Sequence, residues 1–383
     1  MPVHSTREQD TVVRAPAAAP RPAVPGVPPA APRIVSVGTA VPPASYTQRE
    51  ILDLFGVTDP RITSLFLNGG IARRHLTLPP AGPDGTPREE TQGELLAKHS
   101  TEGVRLGRAA VEDCLRRAGA APADVRHLCC VSSTGFLTPG LSALLIKDMG
   151  LSRHCSRLDV VGMGCNAGLN ALSSTAGWAA LHPGGLAVMV CVEVCSAAYV
   201  FDGTLRTSVV NSLFGDGAAA LAVTAPDAAG TGARAPGGPA VLRFAGRIIP
   251  EAVGAMRYDW DDAHGRFSFY LDPEVPYVVG AHAEGAVRRL LDGTGLHRSD
   301  IDHWVIHSGG RKVVDSVRVN LGLTRHDVRH TTGVLRDLGN VSSGSFLFSY
   351  RRLLDEDRVR PGDHGVLMTM GPGSTIETAL LRW

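Results

Sequence analysis

The chain has 383 residues, and 44% of them are hydrophobic, ample for a large packed core or one duplicated fold. Its 38 basic and 37 acidic residues leave a net charge of +1, which excludes a charge-driven binder of nucleic acid or membrane surface. No apolar run reaches the ~18–20 residues of a membrane helix, and the N-terminus lacks a secretory hydrophobic region. The seven cysteines are odd in number and show no CxxC spacing, so they read as reduced thiols in a cytoplasmic protein with no zinc site and no disulfide framework.

In chain order, residues 1–32 form an Ala/Pro-rich stretch without periodicity and read as a disordered leader. The segment PRIVSVGTAVP opens the folded part with a strand. A helix follows TQRE, with Thr47 as N-cap and Glu50 at the capping-box position. Apolar residues recurring every three and four positions predict a long helix over 88–118, ended by Gly119. The apolar runs DVRHLCCVSSTG, LDVVGM, LAVMVCVEV and FGDGAAALAVTA predict strands. The stretches LSALLIKDMGL and NAGLNALSSTAGWAALH predict helices between them. The softer segment 226–240 reads as an exposed linker. A second half of similar grammar follows, with helices near 277–295, 311–321 and 341–355, the strand HWVIHSG, and a closing strand pair at GVLMTMGPGSTIETALLRW. The pattern predicts α/β layers around largely internal sheets, in two halves at 33–235 and 236–383.

Three positions carry chemistry. In LDVVGMGCNAGLNAL a buried strand ends in a glycine-rich turn that puts Cys165 at the entrance to a helix. There the unpaired N–H groups favour an anion and should lower the thiol pKa. The alternative is a buried structural cysteine, like its six neighbours. In HWVIHSGGRK a short strand ends at His307, although a lone histidine among fourteen is more often a satisfied core or surface residue. In LGNVSSG, Asn340 opens a helix, where a plain N-cap is the ordinary role. Together the three make a coherent acyl-transfer site. Cys165 takes the acyl group. His307 pairs with the thiolate, and His307 and Asn340 donate to the thioester oxygen as a malonyl unit loses carbon dioxide.

At these residues the chain resembles the type III polyketide synthases over almost everything after residue 33. The segments that carry the resemblance are GMGCNAG, VIHSGG, LGNVSSG, SLFGDGAAA and MGPGSTIETALLR. It implies a five-layered αβαβα thiolase fold with two pseudo-duplicated halves, a homodimer, and acyl-CoA substrates with no cofactor and no metal. By the same resemblance Phe214 and Phe269 match gating residues between tunnel and cavity. Thr138 matches a residue that reaches across the dimer interface. Cys195 and Ala198 match cavity-lining positions, and Glu193 belongs to the cavity wall. Of the family's basic cluster for the CoA phosphates only Arg61 remains, with Ser64 and Asn68 at the other positions. Lys312, just after Gly309 and Gly310, is the expected compensation, and Ser308 replaces the usual proline after the histidine.

The segments RHLTLPP, SSTGFLTPGLSALLIKDMGL and FDGTLRTSVVNSLFGDG are similar to bacterial members that use malonyl-CoA as both starter and extender. That likeness implies four units closed to a dihydroxyphenylacetyl thioester for antibiotic biosynthesis. It leaves room for auxiliary pathway enzymes that finish aromatisation. Tetrahydroxynaphthalene and alkylresorcinol synthases carry the same triad and stay open as alternatives. A ketoacyl-ACP synthase III would show a His-Gln-Ala-Asn run in place of HSGGRK. A catalytically silent partner subunit would lack the nucleophile.

Overall fold

The computed structural model describes residues 31–83, 85–227 and 237–383. Most of the expected leader and the expected boundary near 235 therefore lie outside the described residues. Of the leader, Ala31 is buried and the Pro32 carbonyl accepts the Val241 N–H at 2.8 Å.

The first half runs β1 (Arg33–Ala40), β2 (Ser45–Thr47), α1 (Gln48–Leu54), α2 (Pro60–Asn68), β3 (Arg73–His75), α3 (Gln92–Ala118), β4 (Val125–Ser132), α4 (Leu141–Met149), β5 (Ser156–Val161), α5 (Ala167–Leu181), β6 (Leu186–Glu193), α6 (Leu205–Asn211) and β7 (Gly217–Thr224). The second runs β8 (Ala240–Ile248), β9 (Met256–Asp261), β10 (Arg266–Leu271), α7 (Val275–Leu291), β11 (His303–Ile306), α8 (Arg311–Asn320), α9 (Arg329–Leu338), α10 (Ser345–Asp355), β12 (His364–Gly371) and β13 (Thr375–Arg382).

The sheet order is β11-β12-β13-β8-β1-β7-β6-β4-β5. It divides into two copies of one pattern. In the first, β4 pairs parallel with β6, β6 antiparallel with β7, and β7 antiparallel with β1. In the second, β11, β12, β13 and β8 repeat those pairings in the same order and sense. Only the first copy carries an added edge strand, β5. The copies meet at β1 and β8 through the single pair Arg33–Ala240.

Strand alternation sorts side chains into layers. Val188 and Val190 of β6 face Leu106 and Val111 of α3, whereas Ala187, Met189 and Cys191 face the opposite way, toward α5 and α10. In the second half Val366 and Met368 of β12 face α7 and α8, and Leu367 faces α5 and α10. The layers are thus outer helices, sheet, α5 with α10, sheet, outer helices, the expected αβαβα arrangement. Both faces of each sheet are covered, which is why the strands read as unbroken apolar runs. The central helices cross closely at Gly168, where a Cβ would lie 2.5 Å from Phe346 and from the Ser343 carbonyl.

Local signals acted largely as read. Thr47 accepts from the Glu50 N–H while the Glu50 carboxylate accepts from the Thr47 N–H, closing the capping box. A second box at Thr91 and Glu94 starts α3 at Gln92 rather than at 88. Gly119 ends that helix with φ +66°. The helix expected from 341 begins as a tight turn at 342–344 and becomes α-helical at Ser345. The hairpin β9–β10 and the helices α2 and α9 are additions to the sequence reading.

Candidate active site

The turn that holds Cys165 is shaped by its glycines. Gly162 and Gly164 adopt φ +82° and +71°, a conformation that side chains resist. A Cβ on Gly164 would lie 2.4 Å from the Pro372 ring, so the loop after β12 presses directly on the turn. Cys165 follows, buried, in the short 3₁₀ turn that feeds α5.

The corresponding turn at the start of α10 comes alongside. Ser342 Oγ lies 3.3 Å from Cys165 Sγ. Its backbone sits at φ +43°, a left-handed conformation that costs about 1–3 kcal/mol for a non-glycine residue and is held only by its surroundings. Asn340 supplies part of that hold. Its Oδ1 accepts the Ser342 N–H at 2.9 Å and the Ser345 hydroxyl at 3.1 Å. Asn340 therefore caps the turn that lies beside Cys165. Its own backbone is clamped to the segment of Phe214, with Asn340 N–H to Leu213 carbonyl at 2.9 Å and Gly215 N–H to Asn340 carbonyl at 3.0 Å.

His307 directly follows β11. Its N–H donates to the Met368 carbonyl at 2.8 Å, on the strand whose far end packs against the turn that holds Cys165. Gly309 leaves room for the ring, since a Cβ there would stand 3.0 Å from His307 Cδ2. Nδ1 has no hydrogen-bond partner among the described residues.

Burial dominates the electrostatics. It pushes the Cys165 thiol up to about 12, against the hydrogen bonds from Ser342 and Asn340 that favour the thiolate. It pushes His307 down to about 3. Desolvation, the largest influence on the thiol, thus opposes the lowering expected from the helix terminus. Burial therefore disfavours the charged form of each group taken singly.

Behind Ser342 runs a chain of hydroxyls. Ser342 Oγ and Ser133 Oγ are 2.7 Å apart. Ser133 donates to Glu193 Oε2 through Oγ at 2.9 Å and through N–H at 3.0 Å. The Ser343 hydroxyl donates to Oε1. Glu193 is 0% exposed, and burial raises its carboxyl to about 7 against these hydrogen bonds.

The remaining expected residues divide. Phe214 and Phe269 are buried in the same apolar cluster as Cys165, their ring centroids 6.3 Å apart, with Tyr199 between them at 4.2 and 5.4 Å. Cys195 joins that cluster, and the half-buried Ala198 packs against it. Cys195, Tyr199 and Phe214 also line a cavity of about 320 Å³, walled further by Phe55, Phe66 and Arg74, that Cys165 does not line. Gly310, at φ +129°, caps α8. Lys312 is exposed on its first turn. Arg61 is 76% exposed at the start of α2 and paired with Asp59 at 2.9 Å. Thr138 is exposed on the loop after β4. Sequence reasoning missed Ser133, Ser342, Tyr199 and Tyr258. Ser342 stood inside the LGNVSSG motif, whereas the other three have no local signature.

A buried cysteine at one helix start, an asparagine at the other, and a histidine at a strand end between layered sheets define an acyl-transferring enzyme of the thiolase fold. The chain matches the family descriptions "Chalcone and stilbene synthases, N-terminal domain" over residues 86–227 and "C-terminal domain" over 241–383. It belongs to that family, the type III polyketide synthases. It is 66% identical over 355 residues to a 3,5-dihydroxyphenylacetyl-CoA synthase of Streptomyces toyocaensis, covering 93% of this chain and 91% of that one. It is 34% identical to a 1,3,6,8-tetrahydroxynaphthalene synthase of Streptomyces peucetius subsp. caesius, covering 91% and 93%. The crystal structure of the tetrahydroxynaphthalene synthase of Streptomyces coelicolor A3(2) superposes with a TM-score of 0.82 at 28% identity, over 92% of this chain and 99% of that one.

Glu193 gives a test of these electrostatics. Its folded pKa of about 7 lies above the ordinary 4.5, so between those values the unfolded chain releases a proton that the folded one keeps. That contribution to stability is full below pH 4.5 and is lost as pH rises toward 7, by up to about 1.4 kcal/mol per pH unit. Urea denaturation across this window should show wild type losing stability relative to Glu193→Gln. Parallel curves would mean that Glu193 is ionised throughout.

Proposed function

We propose that the enzyme condenses four malonyl-CoA units on Cys165 and closes the chain to a 3,5-dihydroxyphenylacetyl thioester, as part of antibiotic biosynthesis. The observation that carries the choice of product is the gap in identity, 66% against 34%, between relatives named for that product and for the naphthalene.

The chemistry follows from the site. A proton moves from Cys165 to His307, and the thiolate attacks the carbonyl of an acyl-CoA, releasing CoA. A malonyl thioester then places its carbonyl oxygen before the donors of His307 and Asn340. Carbon dioxide leaves, and the electron pair it leaves behind spreads onto that oxygen. Pre-aimed donors in a dry pocket are each worth ~3–4 kcal/mol to such an oxyanion. The enolate carbon attacks the Cys165 thioester, which frees the thiolate and lengthens the chain on CoA by two carbons. The lengthened chain reloads, and the cycle repeats. The reading calls for malonyl-CoA as sole substrate and for no metal, flavin or nicotinamide.

Lys312 and the backbone at Gly309 and Gly310 are the proposed CoA contacts at the mouth, since Arg61 is engaged by Asp59 and Ser64 bonds Asn68 at 2.9 Å. Phe214 and Phe269 gate the cavity, and Cys195 and Ala198 shape it. The cytoplasm is the proposed compartment, supported by seven unpaired cysteines. Among the described residues no helix is long and apolar enough to cross a membrane. A homodimer is supported by the open edge of β5, where Leu158, Val161 and Met163 are exposed near Phe136, itself 72% exposed. Such a dimer would cover Thr138. Sedimentation velocity should give twice the 40.3 kDa chain mass; a monomer at micromolar concentration would remove that part of the reading.

Mass spectrometry of the products from malonyl-CoA alone tests the function. A dihydroxyphenylacetyl thioester or its free acid is expected. A naphthalene would keep the mechanism and change the count to five units, and no product without an added acyl-CoA would overturn the starter. Alkylation by iodoacetamide tests the shared charge. Wild-type Cys165 should react at pH 7 with little dependence on pH. In His307→Ala the rate should drop at least about 100-fold and then climb about tenfold per pH unit, as an unaided buried thiol requires. Equal rates in the two proteins would show that His307 does not take the proton.

A further inference from the structure

Among the described residues Arg74 is the largest fully buried side chain, only 1% exposed. It lies on β3, a three-residue strand outside the large sheet. Its guanidinium spends two nitrogens on neutral acceptors. Nε donates to Gln48 Oε1 at 3.0 Å, and Nη1 donates to the Phe214 carbonyl at 2.7 Å. Nη2 has no hydrogen-bond partner among the described residues. Burial pushes the ionisation of Arg74 down to about 9, against the charge of nearby Asp216, so it stays a cation at neutral pH. A charge held this dry is costly and calls for a reason.

The reason lies in the backbone after α6. That helix ends at Asn211, and each of the next three carbonyls needs a donor. Gln48, 3% exposed, donates through Nε2 to the Ser212 carbonyl at 2.7 Å. The Asn340 N–H donates to the Leu213 carbonyl at 2.9 Å. Arg74 donates to the Phe214 carbonyl, and Gln48 Oε1 fixes the direction of its fork. Three donors from three distant segments thus close one short stretch of chain.

The Arg74 stem packs on the other side of the same junction. A Cβ on Gly339, at φ +74°, would lie 3.0 Å from Arg74 Cγ and Cδ and 2.7 Å from the Leu213 carbonyl oxygen. A Cβ on Gly215 would lie 3.5 Å from Arg74 Cβ and 2.4 Å from the Leu338 carbonyl oxygen. The two segments therefore cross in contact, with Arg74 against both. β3 is itself anchored on either side. The Ala72 N–H donates to the Arg336 carbonyl at 2.7 Å, and the Asp216 N–H to the His75 carbonyl at 2.8 Å. Phe214 and Asn340 are the residues this junction carries.

We propose that Arg74 is a positioning residue for decarboxylation: its guanidinium and stem lock Leu213–Gly215 against Gly339–Asn340, and so fix the Asn340 amide where the malonyl thioester oxygen arrives. The inference rests on the role given to Asn340 above. Arginine suits the task because its planar fork meets Gln48 and the Phe214 carbonyl in fixed directions, whereas lysine offers a point charge on a flexible stem. Proton transfer between Cys165 and His307 involves neither Arg74 nor Gln48. Arg74 thus bears on the step that needs Asn340 more than on the thiol.

The experiment compares wild type, Arg74→Lys, Asn340→Ala and the double variant, reading carbon dioxide release from malonyl-CoA and the rate of Cys165 alkylation by iodoacetamide. Arg74→Lys keeps the charge and loses the fork. Carbon dioxide release should fall at least about tenfold, the scale of one lost hydrogen bond to a charged group, with alkylation within about twofold of wild type. The double variant should be no slower than Asn340→Ala, because Arg74 acts through Asn340. Gln48→Leu removes the acceptor from Nε and the donor from the Ser212 carbonyl without touching the charge. It should lower release in the same direction, and it carries the test where Arg74→Lys does not fold. Unchanged release in these variants, alkylation that falls in step with release, or additive losses in the double variant would each overturn the proposal. Full release by Asn340→Ala would instead overturn the role of Asn340 on which the proposal rests.

Discussion

Two helix starts meet in the driest layer of this molecule, and the rest of the structure answers that constraint. Neither α5 nor α10 has a side-chain cap at its N-terminus. Their free N–H groups and positive dipole ends lie close together, away from water, and would repel. What they need is electron density. The sulphur of Cys165, the hydroxyls of Ser342 and Ser343 and the carboxyl of Glu193 supply it, linked one to the next through Ser133. The same demand favours an enolate or a thiolate when one forms. The site's affinity for negative charge is therefore a property of the fold before it is a property of any catalytic residue.

The duplicated topology explains how two helix starts come to face each other. Each half buries one helix between the sheets, and the pseudo-symmetry brings the turns that feed them together. The halves then diverge. One turn keeps a cysteine, the other an asparagine and three serines, and the histidine comes from the end of β11. The added edge strand β5 and the hairpin β9–β10 break the symmetry further, each in one half only.

Much of this could be read in the sequence, because it is written in local physics. Continuous apolar runs gave the doubly covered strands, Thr47 with Glu50 gave a capped helix, and the glycines around Cys165 gave the tight turn into α5. The helix terminus at Cys165 was visible in the sequence, whereas the burial that opposes its effect on the thiol was not. Ser133 and Tyr258 were illegible for a related reason. Nothing nearby marks them, and their meaning comes from a contact across 125 residues. The short helix α2, begun by Asp59 and Pro60, and the polar α9 were hidden by their brevity.

The two halves share a single residue pair of sheet, Arg33 with Ala240. Sheet continuity therefore contributes little to their union, which rests on the apolar layer of α5 and α10. Neither half holds a reactive centre by itself. Chimeras built by exchanging halves between related enzymes would have to match at that buried helix layer, where Gly168 already touches Phe346, and not at the visible seam between strands.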